Sequence, residues 1–407
     1  MRIIFLRNGF LKLLLGGVMV LGLITGILAI TDFWQSAPEQ HDFVGDAEIV
    51  HYPGLHFHTL QSHQFQNYVE TLVAKKLRLR HYFIRIHNQL YFSLFKKSFA
   101  EQGGVIVGKN GELFQKQYIQ AYCHPAPLSP TALTDWANRL QQMQAFFQKR
   151  GITFIYLITP SKAEYKPQAV PERFHCTARG LNPQLRLLEQ ALRARHLAYV
   201  NGPALMKKAD QQWGISLFPR GGTHWNWLGA AVAAQDLFQR IDRERQGHWR
   251  PLQLAVSLGT IQPFDSDADL LHLMNLLWPE VHEQTPQVHG LNMTSAQLPL
   301  TVTFIGGSFN DNLVKLMTQE HVFSKVHYYF YLKSERTFKT NEKDPIDRRL
   351  DQAFSGVLKT LEASQVVILE ENSSLLAQSE QGKKLFQLIQ QATPTAAPSL
   401  RAKRGNP

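Results

Sequence analysis

The sequence predicts an α/β protein, a sandwich of helices over a largely parallel sheet. Three observations carry that expectation. Apolar runs such as "ITFIYLITP", Ile152 to Pro160, are hydrophobic on both faces, as buried parallel strands are. These runs alternate with segments whose apolar residues recur at helical spacing. Gly, Pro and Asn mark the boundaries between the two kinds of segment.

Taken in order, the first element is an uncharged run, Leu13 to Ile30, preceded by Arg2, Arg7 and Lys12 and followed by Asp32 and Glu39. As a helix it would be roughly 27 Å long, enough to cross a bilayer core. The charge asymmetry puts the N-terminus in the cytoplasm and the rest outside. A membrane anchor is the expected reading and a cleaved signal peptide the alternative. From Thr59 to Lys97, Phe65, Tyr68, Val69, Leu72, Val73 and Leu77 follow helical spacing among basic residues. "GGVIVGKNGELFQ", Gly103 to Gln115, reads as a hairpin about a Lys-Asn-Gly turn. Ser129 to Gly151 is a helix, with Ser129 or Thr134 as cap and Gly151 beyond its last turn.

The helix–strand pattern then repeats. Residues 181–202 read as helix then strand, and 226–241 as a helix with a small-residue face. Residues 300–309 form a strand and turn, 311–320 a helix, 324–332 a strand, and 350–376 helix, strand and loop. Residues 240–300 have weaker periodicity and read as an insertion; the basic end after Ala392 reads as disordered. The expected organisation is an anchor over 1–33, a helical lead-in over 34–100, the α/β domain over 101–392 and a tail over 393–407.

Of 407 residues, 44% are hydrophobic and 18% charged, which suits a folded globular chain. The net charge of +11 is dispersed. No zinc finger, RNP sequence or compact basic-aromatic patch argues for nucleic acid. No CxxC or HExxH occurs, so no metal and no cofactor are expected. The two cysteines, Cys123 and Cys176, are a disulfide candidate; two free buried thiols are the alternative.

Ligands of open α/β sheets bind off the carboxyl ends of the strands. That rule selects "TPSKAEY", "GGSFND", "EENSS" and the segment "GGTHW". Ser308 follows a strand and two glycines and precedes a helix, the position of a nucleophile or of an ordinary helix cap. His224 lies in a glycine-rich loop and reads as a base or as a packed imidazole. Trp225 and Trp227 beside it read as a sugar-stacking wall or as core.

"GVIVGKNGELF", "LITPSKAEYKP", "GGTHWNWLGA" and "GGSF", in that order, resemble the alginate O-acetyltransferase family of the AlgJ and AlgX type. The similarity runs from about Leu60 to about Ile389. It implies an SGNH-hydrolase-like α/β fold, acetyl transfer to an exopolysaccharide in the periplasm, an inner-membrane location, and a membrane-bound acyltransferase partner supplying acetyl. It also implies Ser308 as nucleophile and His224 as base. The oxyanion would sit on the amides of Ser308 and Phe309, with Asn310 or Asn372 as a side-chain donor. Lys162 is a candidate contact for an acidic sugar or the donor. The family's acid, two residues before His224, is Gly222 here. Asp311, Glu370 and Glu371 are the candidate replacements, a backbone carbonyl a further one. An esterase and a non-catalytic glycan-binding or assembly subunit are the competing functions.

Overall fold

The computed structural model describes residues 16–24, 51–76, 80–99, 104–176, 182–249, 251–259, 265–279, 283, 285–289, 298–339, 346–351, 354 and 356–392. The chain divides into two units, residues 1–106 with 270–280 and residues 107–269 with 281–407. In the first, residues 16–24 are helical (α1), followed by α2 (Phe57–Gln61), α3 (Gln64–Lys76) and α4 (Arg80–Phe95). The Thr59–Lys97 region is thus several helices; His63, with φ of +59°, turns the chain between α2 and α3. On α4, Asn88 Nδ2 donates to the Met274 and Asn275 carbonyls at 2.9 and 3.3 Å.

The membrane anchor requires correction. Among the described residues no helix is long and apolar enough to cross a membrane. The expected single-pass inner-membrane placement falls with it, as does the periplasmic placement drawn from it. The remainder of Leu13–Ile30 and the tail 393–407 lie outside the described residues.

β1 (Val105–Val107) leads into the second unit. Its elements are β2 (Leu113–Gln115), α5 (Lys116–Cys123), α6 (Pro130–Gln148), β3 (Thr153–Thr159), α7 (Lys162–Tyr165), α8 (Pro183–Ala194), β4 (Tyr199–Asn201), α9 (Gly202–Trp213) and α10 (Trp227–Arg245). Then come β5 (Ala255–Gly259), α11 (Asp269–Leu273, of which only Asp269 belongs to this unit), β6 (Thr285–His289), β7 (Leu298–Gly306), α12 (Asn310–Gln319), β8 (Phe323–Phe330) and β9 (Ser334–Lys339). β10 (Ile346–Arg349), α13 (Val357–Glu362), β11 (Val366–Asn372) and α14 (Glu380–Ala392) complete it.

Among the described residues the main sheet has seven strands, in the order β10-β9-β8-β7-β11-β3-β4. β8, β7, β11, β3 and β4 run parallel, and β9 and β10 are antiparallel. The sheet is therefore mixed, though mostly parallel. Successive side chains of a strand face opposite sides, and the cores follow that alternation. Ile155, Leu157, Val366 and Ile368 join one cluster beneath α9, α10 and α12. Phe154, Tyr156, Ile158, Val367 and Leu369 join the other beneath α6, α8, α13 and α14. Strands covered on both faces leave only their ends for a site.

Local chemistry sets the boundaries. Ser129 Oγ caps α6 by accepting from Ala132 N at 3.0 Å, and Gly151 takes φ of +71° after that helix. β8 and β9 meet in a three-residue turn closed from Phe330 to Ser334. Tyr331 and Leu332 there take φ of +50° and +51°, the left-handed region, at a cost of about 1–2 kcal/mol each. Cys123 and Cys176 form a disulfide closing a 53-residue separation. Chain entropy puts its contribution at about 4 kcal/mol.

Candidate active site

The parallel strands β7, β11 and β3 end together at Gly306, Asn372 and Thr159, and the site is built there. β7 runs through Gly306 and Gly307 into Ser308 and then α12. Both glycines are required by close approach. A side chain at Gly306 would collide with Asn310 and Glu370, and one at Gly307 would lie 2.8 Å from the Tyr331 hydroxyl. The Gly307 peptide is held from two sides: Glu370 Oε2 accepts from its N–H, and the Tyr328 hydroxyl donates to its carbonyl, each at 2.7 Å. Ser308 is thereby fixed at the head of a ten-residue helix, where amide N–H groups and the helix dipole suit a negative charge.

His224 reaches this serine from the loop before α10. Asn226 caps α10 by accepting from Gly229 N at 3.1 Å, and its own N–H donates to the Leu217 carbonyl at 2.9 Å. Trp225 then locks the loop to the serine turn. Its indole N–H donates to the Phe309 carbonyl at 3.0 Å, and its carbonyl accepts from Asn312 at 2.9 Å. Phe309 packs edge-on against the imidazole, with ring centres 5.0 Å apart. The outcome is a distance of 2.8 Å from His224 Nε2 to Ser308 Oγ.

The carboxylate behind the histidine is Asp269. Its Oδ2 lies 2.8 Å from His224 Nδ1, and its Oδ1 accepts from the Thr223 N–H at 2.8 Å. One carboxylate thus fixes both the ring and the backbone that carries it. With Nδ1–H donating to Asp269, Nε2 carries the lone pair that faces the serine hydroxyl. The geometry also explains Gly222. A Cβ there would stand 2.6 and 2.9 Å from the carbonyl oxygens of Ser266 and Asp267. The segment that delivers Asp269 packs where a residue-222 side chain would be.

A family model described as the SGNH hydrolase-like domain of acetyltransferase AlgX matches residues 105–311. The chain belongs to this family. The matched span contains Ser308, His224 and Asp269, and its fold and acetyltransferase-related role follow from that membership. Among solved structures, the O-acetyltransferase domain of Pseudomonas putida AlgJ is similar at 18% identity and a TM-score of 0.44, over 71% of this chain and 99% of that one. Bacillus cereus PatB1 with a sulfonyl adduct is similar at 11% identity and 0.43, over 69% and 99%. Pseudomonas aeruginosa AlgX is similar at 10% identity and 0.41, over 70% and 65%. No curated protein matches by sequence.

The expected replacement acids serve elsewhere. Glu370 is fully buried beneath the serine turn and accepts from Gly307 N and the Thr159 hydroxyl. Burial raises its pKa, opposed by those two hydrogen bonds and the His224 charge. Glu371, one residue on, faces the opposite core, where Tyr156, Ser379 and the Ala377 N–H donate to it. Burial pushes it up to about 7. Asp311 pairs with Arg336 at 3.4 Å; burial raises its pKa against the Arg336 and His224 charges.

Other candidates also acquire structural partners. Trp225 is fully buried and Trp227 packs partly buried against the core, so Trp225 offers no face to a sugar. Lys162 is 1% exposed and its ammonium points into a cage of backbone carbonyls. Asn372 donates to the Pro160 carbonyl at 2.9 Å and accepts from Ser374 N at 3.0 Å. Asn310 is buried with no hydrogen-bond partner for its side-chain amide among the described residues. In front of Ser308 opens a cleft of about 350 Å³ lined by Tyr118, Phe309, Tyr331, Lys333 and Lys384 among others. The Tyr331 hydroxyl lies 3.4 Å from Ser308 N.

Proposed function

We propose that this chain is an O-acetyltransferase that carries acetyl on Ser308 and delivers it to a hydroxyl of a polysaccharide. The observation that carries the reading is the continuous line of contacts Ser308 Oγ, His224, Asp269, at 2.8 Å in each link. Nε2 of His224 takes the proton as Oγ attacks the acetyl carbonyl, and Asp269 stabilises the imidazolium formed. The tetrahedral oxyanion is met by the Ser308 and Phe309 amides at the head of α12. His224 returns the proton to the leaving group. It then deprotonates the sugar hydroxyl that attacks the acetyl-serine, which restores Oγ–H.

Lys333 and Lys384 on the cleft suit an acceptor with anionic substituents. The acetyl donor would be supplied by a separate membrane-bound acyltransferase. The deciding experiment incubates the protein with an activated acetyl ester and an oligosaccharide acceptor. Acetylated sugar and an acetyl-Ser308 peptide support the proposal. Release of acetate alone makes the protein an esterase, and no acetyl-enzyme with retained glycan affinity makes it a binding subunit. Ser308→Ala should abolish transfer while the melting curve is kept.

A further inference from the structure

Among the described residues the Lys162 ammonium has five oxygen neighbours. The carbonyls of Pro219, Leu113, Gly222 and Arg220 lie at 2.6, 2.7, 2.9 and 3.0 Å, and Glu112 Oε2 at 3.2 Å. Three of those carbonyls belong to the loop that ends in His224. The same loop is gripped at its amides: Glu283 accepts from Arg220 N at 2.8 and 3.0 Å, and Asp269 accepts from Thr223 N at 2.8 Å. Leu113 of β2 donates to the Arg220 carbonyl at 2.9 Å, which joins the loop to the strand. An ammonium has only three N–H bonds, so the cage exceeds its directed capacity and works as a cation site. Carbonyl oxygens in such a ring are the ligands that potassium accepts in place of water.

We infer that Lys162 is a positioning residue acting as a tethered monovalent cation, which holds the Pro219–Gly222 carbonyls and so keeps His224 aimed at Ser308. With the charge removed, the carbonyls of Pro219, Leu113 and Gly222 lose the ammonium donor, and the Arg220 carbonyl keeps only the Leu113 N–H. Each unmet group costs about 1–3 kcal/mol, and the cheapest relief is for the loop to turn its peptides away. That rotation carries His224 off Ser308.

The other groups facing Lys162 fit this role. Glu112 bridges it to Lys166, whose Nζ lies 2.6 Å from Glu112 Oε1, and the Phe114 ring centre lies 5.3 Å from Nζ. Burial lowers the Lys162 pKa to about 8. Glu112 and Glu283 act to raise it and Lys166 to lower it.

The inference rests on the acetyl-transfer reading for its activity measurement, so the test has a second readout. Lys162→Ala leaves the cage empty, and Lys162→Met fills it with a neutral chain of like length. The assay is turnover of a chromogenic acetate ester, with melting temperature measured alongside. Choline chloride at equal ionic strength is the control. Expected results are a loss of at least about tenfold in kcat for both variants, and recovery of Lys162→Ala, but not Lys162→Met, with potassium chloride or propylammonium chloride. Potassium should also raise the melting temperature of Lys162→Ala above that in choline, whether or not the wild type turns over ester. Wild-type kcat in either variant, or equal effects of choline and potassium, would overturn the inference.

If both variants fail to fold, Glu112→Gln decides. Its loss lowers the Lys162 pKa and should move the alkaline limb of kcat/KM down by about half a pH unit or more. An unmoved limb overturns the inference. A wild type without ester turnover, but with potassium-stabilised Lys162→Ala, would sink the acetyl-transfer reading and leave this one standing.

Discussion

Asp269→Asn should be more damaging than a loss of one charge. The reason is the second bond made by the same carboxylate. Thr223 N–H, 2.8 Å from Oδ1, needs an acceptor. In the variant, the asparagine oxygen therefore turns to Thr223 and its NH₂ turns to His224 Nδ1. The imidazole must then accept at Nδ1 and carry its proton on Nε2, directed at Ser308 Oγ 2.8 Å away. The base is present in the wrong tautomer. Loss of the charge-assisted hydrogen bond alone is worth about 1.5–3 kcal/mol, or roughly 10- to 150-fold. Tautomer inversion takes the expected loss in kcat towards about 10⁴, near 5.5 kcal/mol. Pre-steady-state hydrolysis of a chromogenic acetate ester measures the acylation rate directly, and the melting curve reports the fold. A folded Asp269→Asn protein acylating within about tenfold of wild type would refute the argument, because it would mean that Asp269 does not set the tautomer.

Three further outcomes follow from other parts of the molecule. Gly222→Ala should lower stability by about 1–3 kcal/mol and reduce kcat, since the added Cβ meets the backbone oxygens of Ser266 and Asp267 on the segment holding Asp269; an unchanged melting temperature would contradict the packing. Reduction of Cys123–Cys176 should cost about 4 kcal/mol in denaturant titrations, and a shift below about 1 kcal/mol would show that the unfolded chain gains little freedom. Asp267 is buried without hydrogen-bond partners among the described residues, and burial, then Glu283 and Asp269, push its pKa from 3.8 to about 7. The folded state therefore holds a proton that the unfolded chain has released, and stability falls as pH climbs from about 4 to about 7. Asp267→Asn should stabilise the protein at pH 8 by up to about 4 kcal/mol and have little effect at pH 4; equal effects at both pH values would exclude the titration.

Much of the sheet was legible because its strands are buried on both faces. Thr153–Thr159 and Val366–Asn372 carry continuous apolar runs, which in a short segment bounded by turns have few other uses. β9 and β10 were not legible. "SERTFK" and "IDRR" lie at the sheet's antiparallel edge, and β10 is exposed along its length, so no apolar pattern marks them. Ser308 and His224 could be selected because each sits in a glycine-rich turn at a strand or helix end. Asp269 could not, since it lies in "DSDADLL", within a stretch that lacks periodicity. Nothing local distinguishes it from Asp267 two residues earlier. Placement by loop proximity pointed to Glu370 and Glu371, but strand alternation sends those two side chains to opposite faces. The N-terminal apolar run was read from its composition and flanking charges alone, and among the described residues no helix is long and apolar enough to cross a membrane.

The turn between β8 and β9 has a consequence for how this chain can be improved. Asn and Gly tolerate the left-handed backbone at 331 and 332, and a stability screen would favour them over Tyr and Leu. The phenol such a change discards is the one standing over Gly307 and the Ser308 amide. Selection for heat resistance and selection for turnover should therefore pull residue 331 in opposite directions, and variants recovered from one screen should tend to fail the other.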